Sequence, residues 1–153
     1  MGEVLSLQDA LRRRASVRVR GMKFVFTNGC FDLIHPGHVA LLREARKQGD
    51  YLLVAINSDR SVRGLKGEGR PVQNEADRAE VLAAMRDVDG VVVFDEETPV
   101  KVIEAIKPDV LVKGGDYTPD NVVGREVVEK AGGRVHIVPL VPGKSSSALA
   151  GNA

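Results

Sequence analysis

Two histidines, His35 and His38, sit three residues apart where an apolar run gives way to a turn cluster and then to a helical pattern. Met22, Phe24 and Phe26 lead into Thr27, Asn28 and Gly29. Pro36 then stands where a first helical residue favours proline, ahead of Val39, Leu41, Leu42 and Ala45. The pattern predicts a strand, a tight loop and a helix N-terminus. Such a terminus presents unpaired backbone N–H groups and a partial positive charge, and side chains three apart share one face of its first turn. Two imidazoles converging on a helix tip make a site for a phosphate group. Donors aimed at charge that develops on a phosphorus centre would lower the barrier to its transfer.

Each candidate residue also has a plainer reading. The two histidines could simply cap their helix. As a zinc pair they would need more soft ligands, and Cys30 and His136 are the only others, so no metal is assigned to them. Lys66 lies between Gly64, Gly67 and Gly69 in SVRGLKGEGRP, a setting for a solvated loop lysine or a mobile phosphate clamp; Arg63 and Arg70 have the same plain reading. Arg78 follows Glu75 by three, the spacing of a surface ion pair on a helix. In KGGDY, Lys113 to Tyr117, Gly114 and Gly115 permit positive φ, and Asp116 could cap the next turn or hold hydroxyls or a magnesium-bound water. GKSSS, Gly143 to Ser147, is not a Walker A loop, because the first glycine of that motif would fall on Val138. A serine run opening a helix offers instead a second anion-binding terminus. Cys30 has no evident base and reads as a small buried apolar residue rather than a nucleophile.

These residues need a frame to bring them together. Helical spacing is present over residues 6–15, 36–47, 75–85 and 121–131, and apolar strand runs over 51–56, 90–94, 110–112 and 134–139 follow the first strand at 22–26. Thr98 before Pro99 predicts a capped helix that ends before Pro108. Residues 57–71 are polar, glycine-rich and too long for an ordinary connection, so they are expected to be a functional loop. Strands that are nearly continuous apolar runs, alternating with helices, predict an α/β fold: a Rossmann-like, doubly wound, five-stranded parallel sheet with helices on both faces. Ligands of such sheets bind beyond the carboxyl ends of the strands. Thr27–Phe31, Asn57–Asp59, Lys113–Tyr117 and Pro142–Ser147 should therefore share one rim.

The segment FTNGCFDLIHPGH resembles the GxFDxxHxGH signature of the cytidylyltransferase-like nucleotidyltransferases, matching it at Gly29, Phe31, Asp32, His35, Gly37 and His38. Through AINSDRSVRGLKGEGRP and VKGGDY the chain is similar, within that family, to the adenylyltransferases of D-glycero-β-D-manno-heptose 1-phosphate. The resemblance implies transfer of AMP from ATP to that sugar phosphate, with Mg2+ accompanying ATP, giving ADP-heptose for the lipopolysaccharide inner core. It implies catalytic roles for His35, His38 and Lys66. Asn28, Gly29, Phe31, Gly37, Arg78, Gly114, Ser145, Ser146 and Ser147 would hold the nucleotide, and Asp32, Asn57, Asp59, Lys113 and Asp116 the acceptor. A sugar 1-phosphate oxygen is already anionic at neutral pH, so no general base is required and catalysis reduces to positioning and charge neutralisation. The family's Ser/Thr run is altered here, with Lys144 in place of an apolar residue. Leu140 stands where some cytidylyltransferases carry arginine, which disfavours a glycerol phosphate acceptor. Other readings of the resemblance are a cytidylyltransferase of an alcohol phosphate and a nucleotide-sensing module without turnover.

At 153 residues the chain is expected to be a single domain, with a basic helical extension over 1–21 and the nucleotidyltransferase domain over 22–153. Residues 1–23 hold six Lys or Arg and two acids, so the formal charge of +1 hides a slightly acidic remainder. Aromatic content of 4% without Trp argues against base-stacking surfaces, so nucleic acid is not an expected partner. A single cysteine excludes an internal disulfide, and no stretch has the length of a signal peptide or membrane span, which points to the cytoplasm. The segment before Met22 is too short for the sugar kinase fused to some family members, so that step is expected on another chain. A homodimer is a reasonable assembly for a domain of this size.

Overall fold

The computed structural model describes residues 2–115 and 117–139. Asp116 and Ser145–Ser147, expected at the site, lie outside the described residues. Six parallel strands form one sheet: β1 (Glu3–Leu5), β2 (Phe24–Gly29), β3 (Tyr51–Asn57), β4 (Gly90–Phe94), β5 (Val110–Gly114) and β6 (Arg134–Val138). Their order is β1-β4-β3-β2-β5-β6. The chain builds outward from β2 through β3 to β4, then returns to lay β5 and β6 on the other side, so the direction of winding reverses between β2 and β5.

Alternation along the strands divides the core in two. Phe24, Phe26, Leu53 and Ala55 face a layer made by α1 (Leu7–Val19), α5 (Val100–Ile106) and α6 (Arg125–Lys130), through Ala10, Val17, Ile103, Ile106 and Val128. Val25, Leu52, Val54 and Ile56 face α2 (Pro36–Arg46) and α4 (Glu75–Ala83), through Leu42, Ala45, Ala79 and Leu82. Both faces are covered, which is why these strands read as unbroken apolar runs.

The helix expected to be capped by Thr98 begins instead at Val100, with Pro99 at the N-cap and no side-chain cap bond, and three further elements differ from expectation. The sheet has six strands rather than five, because Glu3–Leu5 pairs with β4 at the edge and draws the N-terminal segment into the sheet. Three residues are too few to show a period, and Val4 is 55% exposed. Within the stretch expected as a loop, residues 59–66 form a helix, α3 (Asp59–Lys66). Ser58 caps it by accepting from Ser61 N, and Val62 is its buried anchor, so one cap and one apolar contact suffice where no amphipathic period is visible. The helix expected over 121–131 is reduced to Arg125–Lys130, preceded by a 3-10 turn at Pro119–Asn121, because Gly124 at φ +93° breaks the run.

At the amino end of the sheet, three aspartates close off backbone donors. Asp50 accepts from Lys23 N at 2.8 Å, Asp109 from Phe24 N at 2.8 Å and Asp89 from Leu52 N at 2.9 Å. Of the basic cluster in the N-terminal segment, Arg12 pairs with Asp9 and Arg13 with Glu3. Arg14 is buried and donates to Asp109, to Ile106 O and to Lys107 O. It ties α1 to the turn between α5 and β5. Replacing Arg14 by Ala strands two carbonyls and leaves Asp109 with two N–H donors fewer. Urea unfolding should show a loss of about 2–3 kcal/mol, at or just below the low end for breaking a buried pair because Asp109 is partly solvated.

Candidate active site

Helix α2 begins with its two histidines bonded to its own backbone. His35 is the N-cap residue, and its Nδ1 accepts from Gly37 N at 3.1 Å; His38 Nδ1 accepts from His35 N at 3.3 Å. The rings stack with centroids 3.8 Å apart. The reciprocal arrangement is a capping box built from two imidazoles. It has a chemical consequence: a neutral imidazole whose Nδ1 accepts must carry its proton on Nε2. The bonds that end the helix therefore set the tautomer of both rings, and each offers an Nε2–H donor. His35 is 6% exposed, and its Nε2 is one of two buried side-chain polar atoms without a partner among the described residues. A buried donor left unpaired is costly unless a ligand supplies the acceptor.

Electrostatics keeps both rings neutral. Burial lowers the pKa of His35, while His38 is brought down to about 4 by burial, then by His35 and by Lys66. At neutral pH the pair is a set of donors rather than acids.

These rings line a cavity of about 290 Å³ at the carboxyl ends of β2, β5 and β6, where the winding of the sheet reverses. Asn28, Gly29 and Phe31 border it from β2 and its loop, Gly37 from α2, Lys66 from the end of α3, and Lys113 and Gly114 from β5. At two glycines a side chain would crowd its neighbour, which would have to give by a few tenths of an ångström. A Cβ on Gly29 would lie 3.0 Å from the Phe31 ring, and one on Gly114 would lie 3.1 Å from Leu41. Phe31 holds φ at +49°, a left-handed conformation that its burial and its ring packing 5.0 Å from His38 maintain. Tyr117 borders it too, as the expectation for the loop at 113–117 had it, whereas sequence reasoning did not pick out Leu33, Leu41, Val138 and Pro139. Leu41 carried a usable signal, standing three residues after His38 on the same helical face.

Other expected site residues lie beside the cavity or are engaged with the protein itself. Arg78, expected at the nucleotide, is fully buried and does not border the cavity. Its guanidinium donates to Cys30 O at 2.7 Å, Asn57 O at 2.8 Å, Gln73 O at 3.0 Å and Asp59 Oδ1 at 2.8 Å. Asn57 and Asp59, expected at the acceptor, are thereby support for α3: Asn57 Nδ2 donates to Ser61, and Asp59 receives Arg78. Asp32 borders the cavity, but its carboxylate accepts from Val72 N, Gln73 N and Arg70. Burial pushes the Asp32 carboxyl up, yet the Gln73 and Val72 donors and Arg70 outweigh it and hold the pKa below the usual value. Cys30 borders the cavity with its thiol pushed up by burial, which leaves it protonated and a poor nucleophile. No group of three or more His, Cys, Asp or Glu side chains that could hold a metal ion occurs among the described residues. Among them too, no helix is long and apolar enough to cross a membrane.

A parallel sheet whose switch point faces a histidine-capped helix tip is the frame of a nucleotidyltransferase. Residues 26–145 match the model of the Cytidylyltransferase-like family, and the chain belongs to that family. Bifunctional protein HldE of Azorhizobium caulinodans is 55% identical over 152 residues, covering 99% of this chain and 32% of that protein. Bifunctional protein HldE of Geotalea uraniireducens is 60% identical over 130 residues, 85% of this chain and 26% of that one. The chain thus spans about a third or less of the length of these relatives. Among solved structures, the lipopolysaccharide core biosynthesis protein from Thermoplasma volcanium is 29% identical with a TM-score of 0.63, over 79% of this chain and 98% of that one. Pantoate-beta-alanine ligase from Francisella tularensis shares the fold at 16% identity and a TM-score of 0.69, over 100% of this chain and 74% of that one.

Two measurements test this geometry. Replacing Arg78 by Met leaves several acceptors, one of them a carboxylate, without their donor. Unfolding free energy should fall by about 3 kcal/mol, whereas a residue serving only a ligand would leave it unchanged. For His38, a folded pKa of about 4 lies below the unfolded value near 6.5, so the unfolded chain binds more protons between them. Its contribution to stability is complete above about pH 6.5 and is lost as pH falls toward about 4. His38→Asn keeps an acceptor for the His35 N–H and removes the titration. Urea unfolding at neutral pH and at about pH 5 should show a smaller acid loss in the variant than in the wild type.

Proposed function

We propose that the chain transfers AMP from ATP to D-glycero-β-D-manno-heptose 1-phosphate, releasing pyrophosphate and giving ADP-heptose for the lipopolysaccharide inner core. The observation that carries the reading is the buried, unpartnered His35 Nε2 at the tip of α2, a donor that awaits an anionic oxygen. The sugar acceptor is supported by the motif resemblance and by the likeness to a lipopolysaccharide core biosynthesis protein. An oxygen of the acceptor's phosphate forms a bond to the α-phosphorus of ATP. The bond from that phosphorus to the bridging oxygen breaks, and pyrophosphate leaves with the electron pair. No proton need move, because the attacking oxygen is already anionic.

His35 and His38 donate Nε2–H bonds to the non-bridging oxygens of the α-phosphate as it becomes five-coordinate, and Lys66 offsets the charge of the chain of phosphates. Asn28, Gly29, Phe31, Gly37 and Gly114 shape the nucleotide side of the cavity, and Ser145–Ser147 are assigned to the outer phosphates by resemblance. Mg2+, when bound with ATP, would neutralise phosphate charge. With Asp32 and Asp59 engaged by the protein, the ion is best held by phosphate oxygens and water rather than by a protein cage. A cytoplasmic address belongs to the same proposal, because the proposed reaction consumes ATP.

The family name keeps a second reading in view, transfer of CMP to an alcohol phosphate such as glycerol 3-phosphate. Pyrophosphate release by the purified protein, with ATP or CTP against heptose 1-phosphate or glycerol 3-phosphate, separates the two. The ATP and heptose 1-phosphate pair should be fastest. His35→Ala and His38→Ala should each lower kcat by about 10²–10³-fold, as for loss of one oxyanion donor. Turnover that persists undiminished in both variants would refute the roles given to the rings.

A further inference from the structure

Arg70 faces two ways. Among the described residues it is the one side chain that borders both the site cavity and a second cavity of about 380 Å³, whose walls also include Arg63 and Asn74. It stands at the end of a stretch, residues 63–69, in which every residue is exposed. Its own side chain is 24% exposed, and it reaches Asp32, three residues ahead of the His35 cap, in the loop that ends at the α2 tip.

The bond that holds it there is the longest at that carboxylate. Asp32 accepts from Val72 N at 2.8 Å and from Gln73 N at 2.9 Å, whereas Arg70 Nη1 stands 3.3 Å away. A well-formed charge-assisted bond is about 2.7–2.9 Å long. Asp32 is therefore satisfied by main chain, and the arginine is only lightly tied to it. A guanidinium also carries further N–H donors in a planar fork that matches phosphate oxygens in pairs. Among the described residues no other N–H of Arg70 has an acceptor. In the proposed reaction the electron pair of the breaking bond passes to pyrophosphate, so negative charge grows on the leaving group. Fixed donors aimed at that charge lower the barrier.

We propose that Arg70 is a ligand of the leaving pyrophosphate: its guanidinium turns from Asp32 to the oxygens of the departing diphosphate, and the second cavity that it borders is the way out. This rests on the nucleotidyltransferase reading for turnover but not for binding.

The reverse reaction isolates the role. There a pyrophosphate oxygen bonds to the adenylyl phosphorus of ADP-heptose, and the bond from that phosphorus to the bridging oxygen breaks, its electron pair leaving on the sugar 1-phosphate. Arg70→Met should raise KM for pyrophosphate by about 10–100-fold, the range for losing a hydrogen bond to a charged group. KM for ADP-heptose should stay within about twofold, since the bond lost is one to pyrophosphate alone. Arg70→Lys, which keeps the charge without the fork, should recover part of the loss. Calorimetric titration with inorganic pyrophosphate should show binding to the wild type that Arg70→Met weakens by the same factor. The variant should melt within a few degrees of the wild type, because Asp32 keeps its backbone donors. Were Arg70 only a brace for Asp32, Arg70→Met would melt lower and raise both KM values alike, and that result would overturn the assignment. Pyrophosphate binding that is absent from the wild type or unchanged in the variant would overturn it too. Wild-type protein that binds pyrophosphate through Arg70 yet turns over in neither direction would instead overturn the reaction and leave the ligand standing.

Discussion

A single guanidinium holds the working end of this molecule together. Arg78 has no exposed surface and cannot shed its charge, so every N–H it turns inward has to find an acceptor. It finds them on four separate pieces of chain: the loop after β2, the last residue of β3, the first residue of α3 and the turn before α4. Asp32 works in the opposite sense on two of the same pieces, accepting backbone N–H groups from Val72 and Gln73. An anion and a cation, each bonded largely to main chain, thus fasten the 30–32 loop to the 70–73 segment. Helix α3 lies between these fastenings, and Lys66 at its end is delivered to the cavity rim.

The α2 tip shows how structural and chemical roles coincide in one pair of side chains. A histidine that merely capped a helix and one that met a phosphate would look like rival readings. The ring has two nitrogens, and they can divide the tasks: Nδ1 closes the helix, and the Nε2 of His35 has no partner among the described residues, where the proposed reaction would bring a phosphate oxygen. Burial keeps both rings neutral and so preserves the acceptor that the cap requires. Any change that charged the imidazoles would disturb the donor set and the helix start together.

Much of this was legible in the chain. The strand, turn and proline around His35 and His38 carry their own local signals, and the long apolar strands declare a sheet buried on both faces. What stayed hidden depended on partners distant in sequence. Arg78 stands beside Glu75 at the spacing of a surface pair, and only the folded chain shows it reaching back to Cys30. Asn57 and Asp59 fall at the end of a strand, as ligand residues do, yet they face this arginine. Arg14 belongs to a run of arginines that suggests a solvated face, until α1 lies down and buries it against Asp109. The edge strand β1 is too brief for any period, and α3 rests on one cap and one valine.

The aspartates at the amino end of the sheet complete the picture by contrast. Asp50, Asp89 and Asp109 each satisfy a neighbouring strand's first donors, and Arg14 and Arg46 balance two of them. At that end the backbone donors are met from within, although the buried Tyr51 hydroxyl has no partner among the described residues. The opposite end keeps its unmet demand, a lone imidazole proton and a guanidinium with donors left over among the described residues. The sheet is therefore a one-sided instrument, foundation below and appetite above. Lineages could retune what the upper loops accept while the masonry beneath them stayed untouched.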